Sequence, residues 1–413
     1  MSGGSQWPMV SLAELVLDTQ YGTAAKANDV GRGQPVLRMN NLTYEGRFET
    51  SDLKWVELTD GEREKLALRH GDLLFNRTNS RELVGKTGVW KGPADFTFAG
   101  YLVRVRVREE SVLPEWVAAY LNSSEGKATL FHMAKPSINM ANISATDLLR
   151  LQIPVAPLEF QRRAVRQLER ADAIRRKRTE AIALTEELLR SAFVQMVGPR
   201  AQGYERWPRA RLEELAAATP GSMRTGPFGS ALLHSEFVDE GVAVLGIDNA
   251  VQNRFAWGER RFVTQEKYEG LRRYTAYPDD VIVTIMGTTG RSAVVPRDIP
   301  LAITTKHLAT LTLDRSRAEP EFVAQAIHTH PEVLRQIAQA NRGAIMSGLN
   351  LTLIRALSVP VPPVQVQRSF SRAVAEIREL ELALSTASRQ AQDLFDSLVA
   401  DAFRRGNAQR ASA

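Results

Sequence analysis

The sequence predicts an α+β protein with two β-rich lobes in a pseudo-two-fold arrangement, separated by two long antiparallel helices that form a coiled-coil-like spine. Two observations predict this class. The first is a pair of long amphipathic stretches, one in the middle of the chain and one near its end. The second is an internal repeat with a period of about 200 residues. Because helices of such length are marginal in water without a partner, we expect the two to pack against each other.

The first amphipathic stretch covers residues 157–197 and has no proline or glycine between its first residue and its end. At 1.5 Å per residue, a helix of roughly 40 residues would be about 60 Å long. The second stretch covers residues 365–403. Apolar side chains recur in both at intervals of three or four residues, as on one face of a helix. In the first stretch they are Val165, Leu168, Ala171, Ile174, Ile182, Leu188, Ala192 and Met196.

The repeat is visible at both ends of each half. A Trp-Pro pair opens each half, at residues 7–8 and 207–208, and a proline-rich segment closes it, LQIPVAPLEFQRR from Leu151 and LSVPVPPVQVQR from Leu357. Prolines of this kind end a globular lobe, because they cannot continue a strand or a helix. We therefore predict a first lobe over 1–156, a central helix over 157–198, a second lobe over 199–362 and a C-terminal helix over 363–413.

Composition narrows the function. The chain has 413 residues, a net charge of +6, a pI of about 9.6 and no cysteine. The positive charge favours a polyanionic partner such as nucleic acid, although charge alone does not establish one. Without cysteine there are no disulfides or thiolate metal sites. No apolar run approaches 18 residues and no secretory leader is recognisable, so we expect a cytoplasmic protein without a membrane partner.

Catalytic motifs are absent. The sequence contains no GxxxxGK[ST], GxGxxG, HExxH or GxSxG motif. His328 and His330 precede Pro331 and form a poor frame for metal ligands. Asp279 and Asp280 lie in a predicted turn before a strand, where aspartate is common. We therefore predict no catalytic, cofactor-binding or metal-binding residues.

Polar loops at the predicted strand ends are the candidate DNA-binding elements. Arginine recognises guanine, asparagine recognises adenine, and serine, threonine and lysine hold phosphates. The residue types also fit a simpler role, in which Asn, Gly and Thr only build turns and Arg38 pairs with a neighbouring carboxylate. The candidates in the first half are Tyr21, Thr23, Lys26, Arg38, Asn40, Asn41, Arg77, Asn79, Ser80 and Lys86. Those in the second half are Arg224, Thr225, Phe228, Ser230, Asn249, Thr288, Thr289, Arg291, Lys306 and His307.

These loops and the helix starts resemble a known family. The run YGTAAKANDVGRGQPVLRMNNL from Tyr21, continuing through GDLLFNRTNSRELVG, resembles a target recognition domain of the specificity subunits of type I restriction-modification enzymes. The run TGPFGSALLHSEFVDEGVAVLGIDNA from Thr225 resembles a second one. One departure is visible where the helices begin: Glu159 and Gln161 mark the first start, but the second has Gln365 and Gln367 without the acid. We expect the second helix start to meet its partner a little differently.

The resemblance implies a non-catalytic subunit that acts in phage defence and DNA methylation. Each lobe would recognise one half of a bipartite double-stranded DNA target, and the helices would set the length of the spacer. Two adenine-N6 methyltransferase subunits would be recruited, and they would flip the target base and use S-adenosylmethionine. A restriction translocase subunit that uses ATP and Mg can join such a complex. No cofactor is expected in this chain.

Two other interpretations stay open from the residues alone. One is a non-catalytic helical scaffold or adaptor whose lobes bind proteins rather than DNA. The other is a self-sufficient nucleic-acid enzyme, which the missing motifs disfavour. The basic run at residues 175–178 fits either contacts with the DNA backbone or a solvated helix face with Asp172 and Glu180 as local partners.

Overall fold

The computed structural model describes residues 7–137, 140–340 and 348–404. The chain forms two compact units, one from Met1–Arg178 with Ala387–Ala413 and the other from Thr179–Thr386. Both boundaries fall within the long helices, so each unit contains one lobe and half of each helix. None of the helices in the described ranges is both long enough and apolar enough to cross a membrane.

Unit 1 contains twelve strands in its described part. They are β1 (Met9–Ser11), β2 (Val16–Tyr21), β3 (Gln34–Leu37), β4 (Lys54–Val56), β5 (Leu73–Asn76), β6 (Thr78–Asn79), β7 (Thr87–Val89), β8 (Thr97–Phe98), β9 (Leu102–Val107), β10 (Lys135–Ser137), β11 (Met140–Asn142) and β12 (Gln152–Pro154). Its helices are α1 (Leu12–Leu15), α2 (Asp60–Leu66), α3 (Pro114–Asn122), α4 (Ser124–Met133), α5 (Ala145–Leu149) and the start of α6 (Leu158–Met196).

The central sheet of unit 1 is antiparallel, in the order β2-β9-β5-β7. Smaller sheets have the orders β4-β3-β8, β10-β11-β6 and β1-β12. Strand β9 has the sequence LVRVRV, in which branched apolar residues suit a pleated and largely buried strand. Pro114 begins α3, where its missing N–H costs nothing. The core beneath this sheet is centred on Trp116, which is fully buried.

Unit 2 repeats this plan. Its strands are β13 (Arg209–Arg211), β14 (Met223–Thr225), β15 (Val242–Leu245), β16 (Phe262–Val263), β17 (Thr275–Ala276), β18 (Val281–Thr284), β19 (Ser292–Val294), β20 (Ala302–Thr304), β21 (Leu308–Leu311) and β22 (Ser358–Pro360). Its helices are the end of α6, then α7 (Leu212–Leu215), α8 (Gln265–Glu269), α9 (Pro320–Thr329), α10 (Pro331–Ala340), α11 (Leu351–Ala356) and the start of α12 (Val364–Arg404). The main sheets have the orders β14-β21-β18-β19 and β16-β15-β20-β17.

The strand pairs that close the two lobes have the same register. In β1-β12, Met9 lies opposite Pro154, and in β13-β22, Arg209 lies opposite Pro360. The prolines of the Trp-Pro pairs accept equivalent bonds, because the Val155 amide donates to the Pro8 carbonyl at 3.0 Å and the Val361 amide to the Pro208 carbonyl at 2.8 Å. The Trp-Pro segment at the start of each lobe is thus hydrogen-bonded to the proline-rich segment at its end.

The long helices contain 39 and 41 residues, close to the predicted ranges. In unit 1 the guanidinium of Arg175 on α6 donates to the Gln392 side chain on α12 at 2.9 Å. In unit 2 the rings of Phe193 and Phe370 have centroids 5.8 Å apart. The first half of each helix therefore lies beside the second half of the other, as an antiparallel pair requires. The predicted α+β class with two lobes and a helical spine is confirmed, while the pseudo-two-fold relation and the four predicted segment boundaries stay predictions.

A buried glutamine joins each lobe to the helix that follows it. Gln161 accepts a bond from the Leu113 amide at 2.8 Å and donates to the Ala156 and Ser111 carbonyls at 2.7 and 3.2 Å. Gln367 accepts from the Glu319 amide at 2.8 Å. It donates to the Pro362 and Arg317 carbonyls at 2.8 and 3.1 Å. Both side chains are fully buried.

The acid of the first helix start takes no part in these bonds within the described residues. Glu159, which has no counterpart in the second half, lies at the surface and pairs with Arg162 at 2.5 Å. The glutamine occurs in both halves and makes the equivalent bonds in each. The expectation that the second helix start meets its partner a little differently stays a prediction.

Replacing Gln367 by alanine should lower the free energy of unfolding by about 2–4 kcal/mol, because it leaves a buried amide and two carbonyls without partners. The matched control is Gln365→Ala, two residues earlier on the exposed face of the same helix. It should change stability by about 0.5 kcal/mol or less. Urea unfolding of the full-length chain measures both. Equal effects would show that the buried amide does not hold the junction.

Candidate nucleic-acid interface

The predicted loops of unit 2 converge at one end of its sheets. The Ile285 amide donates to the His307 carbonyl at 2.9 Å, and the Thr305 amide to the Leu245 carbonyl at 2.9 Å. These bonds bring the loop after β18 and the loop after β20 beside the turn after β15. Gly226, in the loop after β14, lies so close to the backbone of Thr304 and Thr305 that a Cβ would collide with it. Four separate polar loops therefore share one surface.

Unit 1 gathers its loops in the same manner. The Thr23 amide donates to the Phe98 carbonyl at 2.9 Å, and the Ala99 amide to the Leu37 carbonyl at 2.9 Å. The Arg77 amide donates to the Tyr101 carbonyl at 3.0 Å. The loops after β2, β3 and β5 are thus held beside the turn between β8 and β9.

Two of the candidate asparagines build these turns. Asn41 and Asn249 are 3% and 2% exposed. The Asn41 side-chain oxygen accepts from the Arg38 amide at 2.9 Å, and that of Asn249 accepts from the Gly246 amide at 2.8 Å. Their amide groups donate to loop carbonyls at 2.9 Å in both cases. Both side chains have their hydrogen-bonding capacity used by the fold, which is the turn-building role that the sequence left open.

Lys86 and Arg224 are also committed to the protein. The Lys86 ammonium, 8% exposed as a residue, donates to the Met39 carbonyl at 2.7 Å and to that of Leu42, and burial lowers its pKa. Arg224 pairs with the buried Asp280 at 2.5 Å and donates to Thr312 at 2.9 Å. A base or phosphate would have to displace these bonds, so both residues are better placed to shape the loops than to contact DNA.

Other candidates are partly engaged. Arg38 forms an ion pair with Asp52 at 3.0 Å, as the alternative from sequence anticipated. The Thr23 hydroxyl accepts from the Ala25 amide at 3.0 Å. Asn79 donates to the Asn76 side chain at 2.8 Å and accepts from the Ser80 amide at 2.9 Å.

A further set of candidates presents accessible side chains. Arg77 lies over the ring of Tyr21 at 5.1 Å, and within the described residues its guanidinium has no carboxylate partner. The Tyr21 hydroxyl accepts from the Ala145 amide at 3.1 Å, which fixes the ring that supports the arginine. The exposed members of the set are Tyr21, Lys26, Asn40, Phe228, Ser230, Thr288, Arg291 and Lys306, while Arg77, Thr225, Thr289 and His307 are half-buried.

His307 lies beside two cationic side chains in the loop surface of unit 2. Burial lowers the pKa of His307, and the neighbouring Lys306 and Arg261 lower it further. The imidazole is therefore neutral at pH 7 and can accept or donate a hydrogen bond there. A neutral imidazole next to cations suits a contact with a phosphate or a base edge.

Two aromatic groups were missed at the sequence level. Tyr101, 49% exposed, lies in the turn between β8 and β9, and its carbonyl accepts the Arg77 amide. Arg81 lies 4.2 Å from the ring of Phe131 on α4, and Phe131 is 39% exposed. Exposed aromatic rings beside arginines are suited to stacking on bases or sugars. Arg81 directly follows the candidate Ser80, but its partner lies 50 residues away and no sequence pattern connects the two.

The basic run on α6 is used within unit 1. Arg175 pairs with Asp172 at 2.7 Å and lies 4.7 Å from the ring of Phe395 on α12. Arg176 also pairs with Asp172, at 3.3 Å, and Arg178 donates to the Ala387 carbonyl. Asp172 is therefore a local partner of two of these arginines, as the second alternative from sequence expected. The bonds of Arg175 and Arg178 to α12 belong to neither alternative.

The groups considered for chemistry are structural. His328 accepts or donates one bond to Ser292 at 2.8 Å, and burial lowers its pKa to about 3. His330 bonds to the Tyr204 hydroxyl at 3.0 Å. Asp280 receives the Arg224 ion pair described above, and Asp279 has a φ of 65° at the turn. Within the described ranges, no three His, Cys, Asp or Glu side chains come together as metal ligands would.

Comparisons with known proteins agree with this architecture. No family model matches the chain. A 200-residue segment is 26% identical to the type I restriction enzyme EcoKI specificity subunit of Escherichia coli K12, a match that covers 46% of this chain and 43% of that protein. The putative MjaX specificity subunit of Methanocaldococcus jannaschii is 19% identical over 383 residues, which are 91% of this chain and 87% of that one.

Solved structures show the same fold. The type I restriction-modification S subunit from M. genitalium superposes with a TM-score of 0.61 at 15% identity, covering 98% of both chains. A structure from work on complex assembly and conformational transition of the type I R-M system gives 0.58 at 18% identity, covering 99% of this chain and 100% of that one.

The chain thus shares the fold of a type I restriction-modification S subunit. More particularly, the curated proteins to which its sequence is similar are specificity subunits of type I restriction enzymes, at 26% and 19% identity. The resemblance predicted from the recognition-domain runs is confirmed.

Replacing Arg77 by alanine should reduce discrimination at one half-site by about 1–3 kcal/mol if the guanidinium contacts a base. Arg63→Ala is a suitable control, because Arg63 is an exposed arginine of the same lobe that pairs with Asp60 on α2 at 4.0 Å. Competition binding with single-base changes in each half-site makes the measurement. Unchanged discrimination would leave Arg77 only a structural role.

Proposed function

We propose that this chain is the DNA-specificity subunit of a type I restriction-modification complex and that each lobe recognises one half of a bipartite target in double-stranded DNA. The observation that carries the proposal is the duplication of one loop surface. Each unit gathers polar loops at the ends of its sheets, and in each unit a buried asparagine holds one of the turns. Two copies of one recognition surface suit a target with two half-sites.

The accessible and the buried candidates have different roles in this proposal. Arg77, Arg291 and Lys306 supply contacts to bases and phosphates, while the buried Asn41, Asn249, Lys86 and Arg224 set the loop conformation from below. The net charge of +6 supports a nonspecific attraction to the DNA backbone. The more DNA phosphates the protein neutralises, the more steeply its affinity for DNA falls as the salt concentration rises.

We further propose that the helical spine sets the spacer and serves as the docking surface for two adenine-N6 methyltransferase subunits. Those subunits would bind S-adenosylmethionine, and a restriction subunit, where present, would use ATP and Mg. The complex would act on genomic and incoming phage DNA in the cytoplasm. The relatives described above are specificity subunits of such systems, which supports these assignments.

Exchanging residues 207–360 for the corresponding lobe of another specificity subunit should change one half of the methylated motif and leave the other half unaltered. The physical reason is that each lobe has its own sheets and cores within its unit. Methylome sequencing of the host with the native gene, the exchanged gene and no gene gives the answer. A change in both halves of the motif would contradict independent recognition by the two lobes. If every methylated motif persisted after deletion of the gene, the proposed function itself would be contradicted.

A further inference from the structure

Each lobe is joined to the long helices by two kinds of contact. The first is the apolar junction around the buried glutamine, where Trp116 packs near Phe160 in unit 1 and Phe370 is fully buried in unit 2. The second lies further along the helix, across an open cleft. The cleft has a volume of about 1510 Å³ in unit 1 and about 890 Å³ in unit 2.

An arginine from the lobe crosses the cleft in both units. In unit 1 the Arg47 guanidinium donates to the Asp172 carboxylate on α6 at 3.0 Å. In unit 2 the Arg254 guanidinium donates to the Glu381 carboxylate on α12. The Glu381 side chain is only 16% exposed, so its charge is removed from most of the solvent that would screen it.

The two arginines occupy equivalent places in the repeat. Each follows a buried turn asparagine, Asn41 or Asn249, and each directly precedes a phenylalanine. Phe48 packs edge-on against Trp90 with centroids 5.3 Å apart, and Phe255 packs against Trp257 at 5.3 Å. Phe48 and Phe255 also pack against buried core clusters of their lobes, so in each Arg-Phe pair the aromatic residue is anchored in the lobe while the arginine reaches to the helix.

The acids also lie on equivalent faces of their helices. Asp172 is eleven residues after Gln161, and Glu381 is fourteen residues after Gln367. The difference of three residues is close to one turn, so both acids lie on the same side relative to the glutamine. At 1.5 Å per residue the ion pairs act about 16 Å and 21 Å from the glutamine junction. A bond at that distance resists rotation of the lobe about the junction more effectively than a bond beside it.

We propose that Arg47 and Arg254 are positioning residues that fix the orientation of each lobe on its helix. The glutamine junction is the pivot. The arginine–carboxylate pair across the cleft restricts rotation about it, together with a second ion pair between lobe and helix, Lys91–Glu169 in unit 1 and Arg378–Glu321 in unit 2. Building on the proposed function, the pairs also sharpen the selection of spacer length, because a lobe that rocks on its helix can reach half-sites at neighbouring separations.

Spin-label distances in the full-length chain test the positioning role without DNA. The chain has no native cysteine, so a Glu266→Cys, Glu379→Cys pair labels only the lobe and the helix of unit 2. Both positions are exposed. We expect a narrow distance distribution in this background and a clearly broader or shifted one after Arg254→Ala. The doubly exchanged Arg254→Glu, Glu381→Arg chain should restore the narrow distribution.

The matched control is Arg211→Ala, which removes an exposed arginine whose ion pair with Glu213, at 3.3 Å, does not involve the helix. It should leave the distribution unchanged. An unaltered distribution in Arg254→Ala would overturn the proposal, and a charge exchange that fails to narrow it would overturn the ion-pair explanation.

Methylome sequencing tests the consequence for spacer selection. With Arg254→Ala we expect methylation at targets whose spacer differs by one base pair to rise about two- to fivefold relative to the cognate target, as suits the loss of one partly exposed ion pair. If the distance distribution broadens but spacer selection does not change, only this consequence is overturned, and the positioning role stands. Loss of the gene without loss of any methylated motif would contradict the proposed function, and the distance measurement would still decide the positioning role.

Discussion

The architecture depends on two buried side-chain amides. Gln161 and Gln367 each join three backbone groups of a lobe and of the segment that leads into a long helix. A glutamine can do this because its amide has both donors and an acceptor, and a buried backbone group without a partner is costly. The direction in which each helix leaves its lobe follows from these bonds.

The polar residues of the loop surfaces fall into two groups: some hold the loops in shape, and others keep side chains accessible to a partner. Buried groups such as Lys86 and Asn249 have their hydrogen bonds used by nearby backbone, which holds loops of irregular shape without regular secondary structure. The half-buried Arg77 and the exposed Lys306 project from loops that these bonds hold in place. A recognition surface needs both kinds, because a side chain that contacts a base must be held in position by groups that do not.

Periodicity and self-similarity sufficed to predict the spine and the doubled lobe. They act over long stretches, where many residues contribute to one pattern. The candidate site was predicted less well for a physical reason. Residue type shows that a side chain can contact DNA, but its availability depends on partners far away in sequence. Lys86 donates to a carbonyl 47 residues earlier, and Arg224 pairs with an acid 56 residues later. No local sequence motif marks either partner. No such motif marks the two clefts either, one in each unit, that Arg47 and Arg254 cross.

The proposed function makes the length of the helical spine the determinant of the spacer between the two half-sites. Inserting one helical turn after Ile174, with a matching turn in α12 beside Gln392, preserves the pairing of the helices and lengthens them by about 5.4 Å. Methylome sequencing should then show both half-sites unchanged and the spacer longer by about one or two base pairs, at 3.4 Å per pair. An unaltered spacer in a folded, methylating complex would contradict the claim.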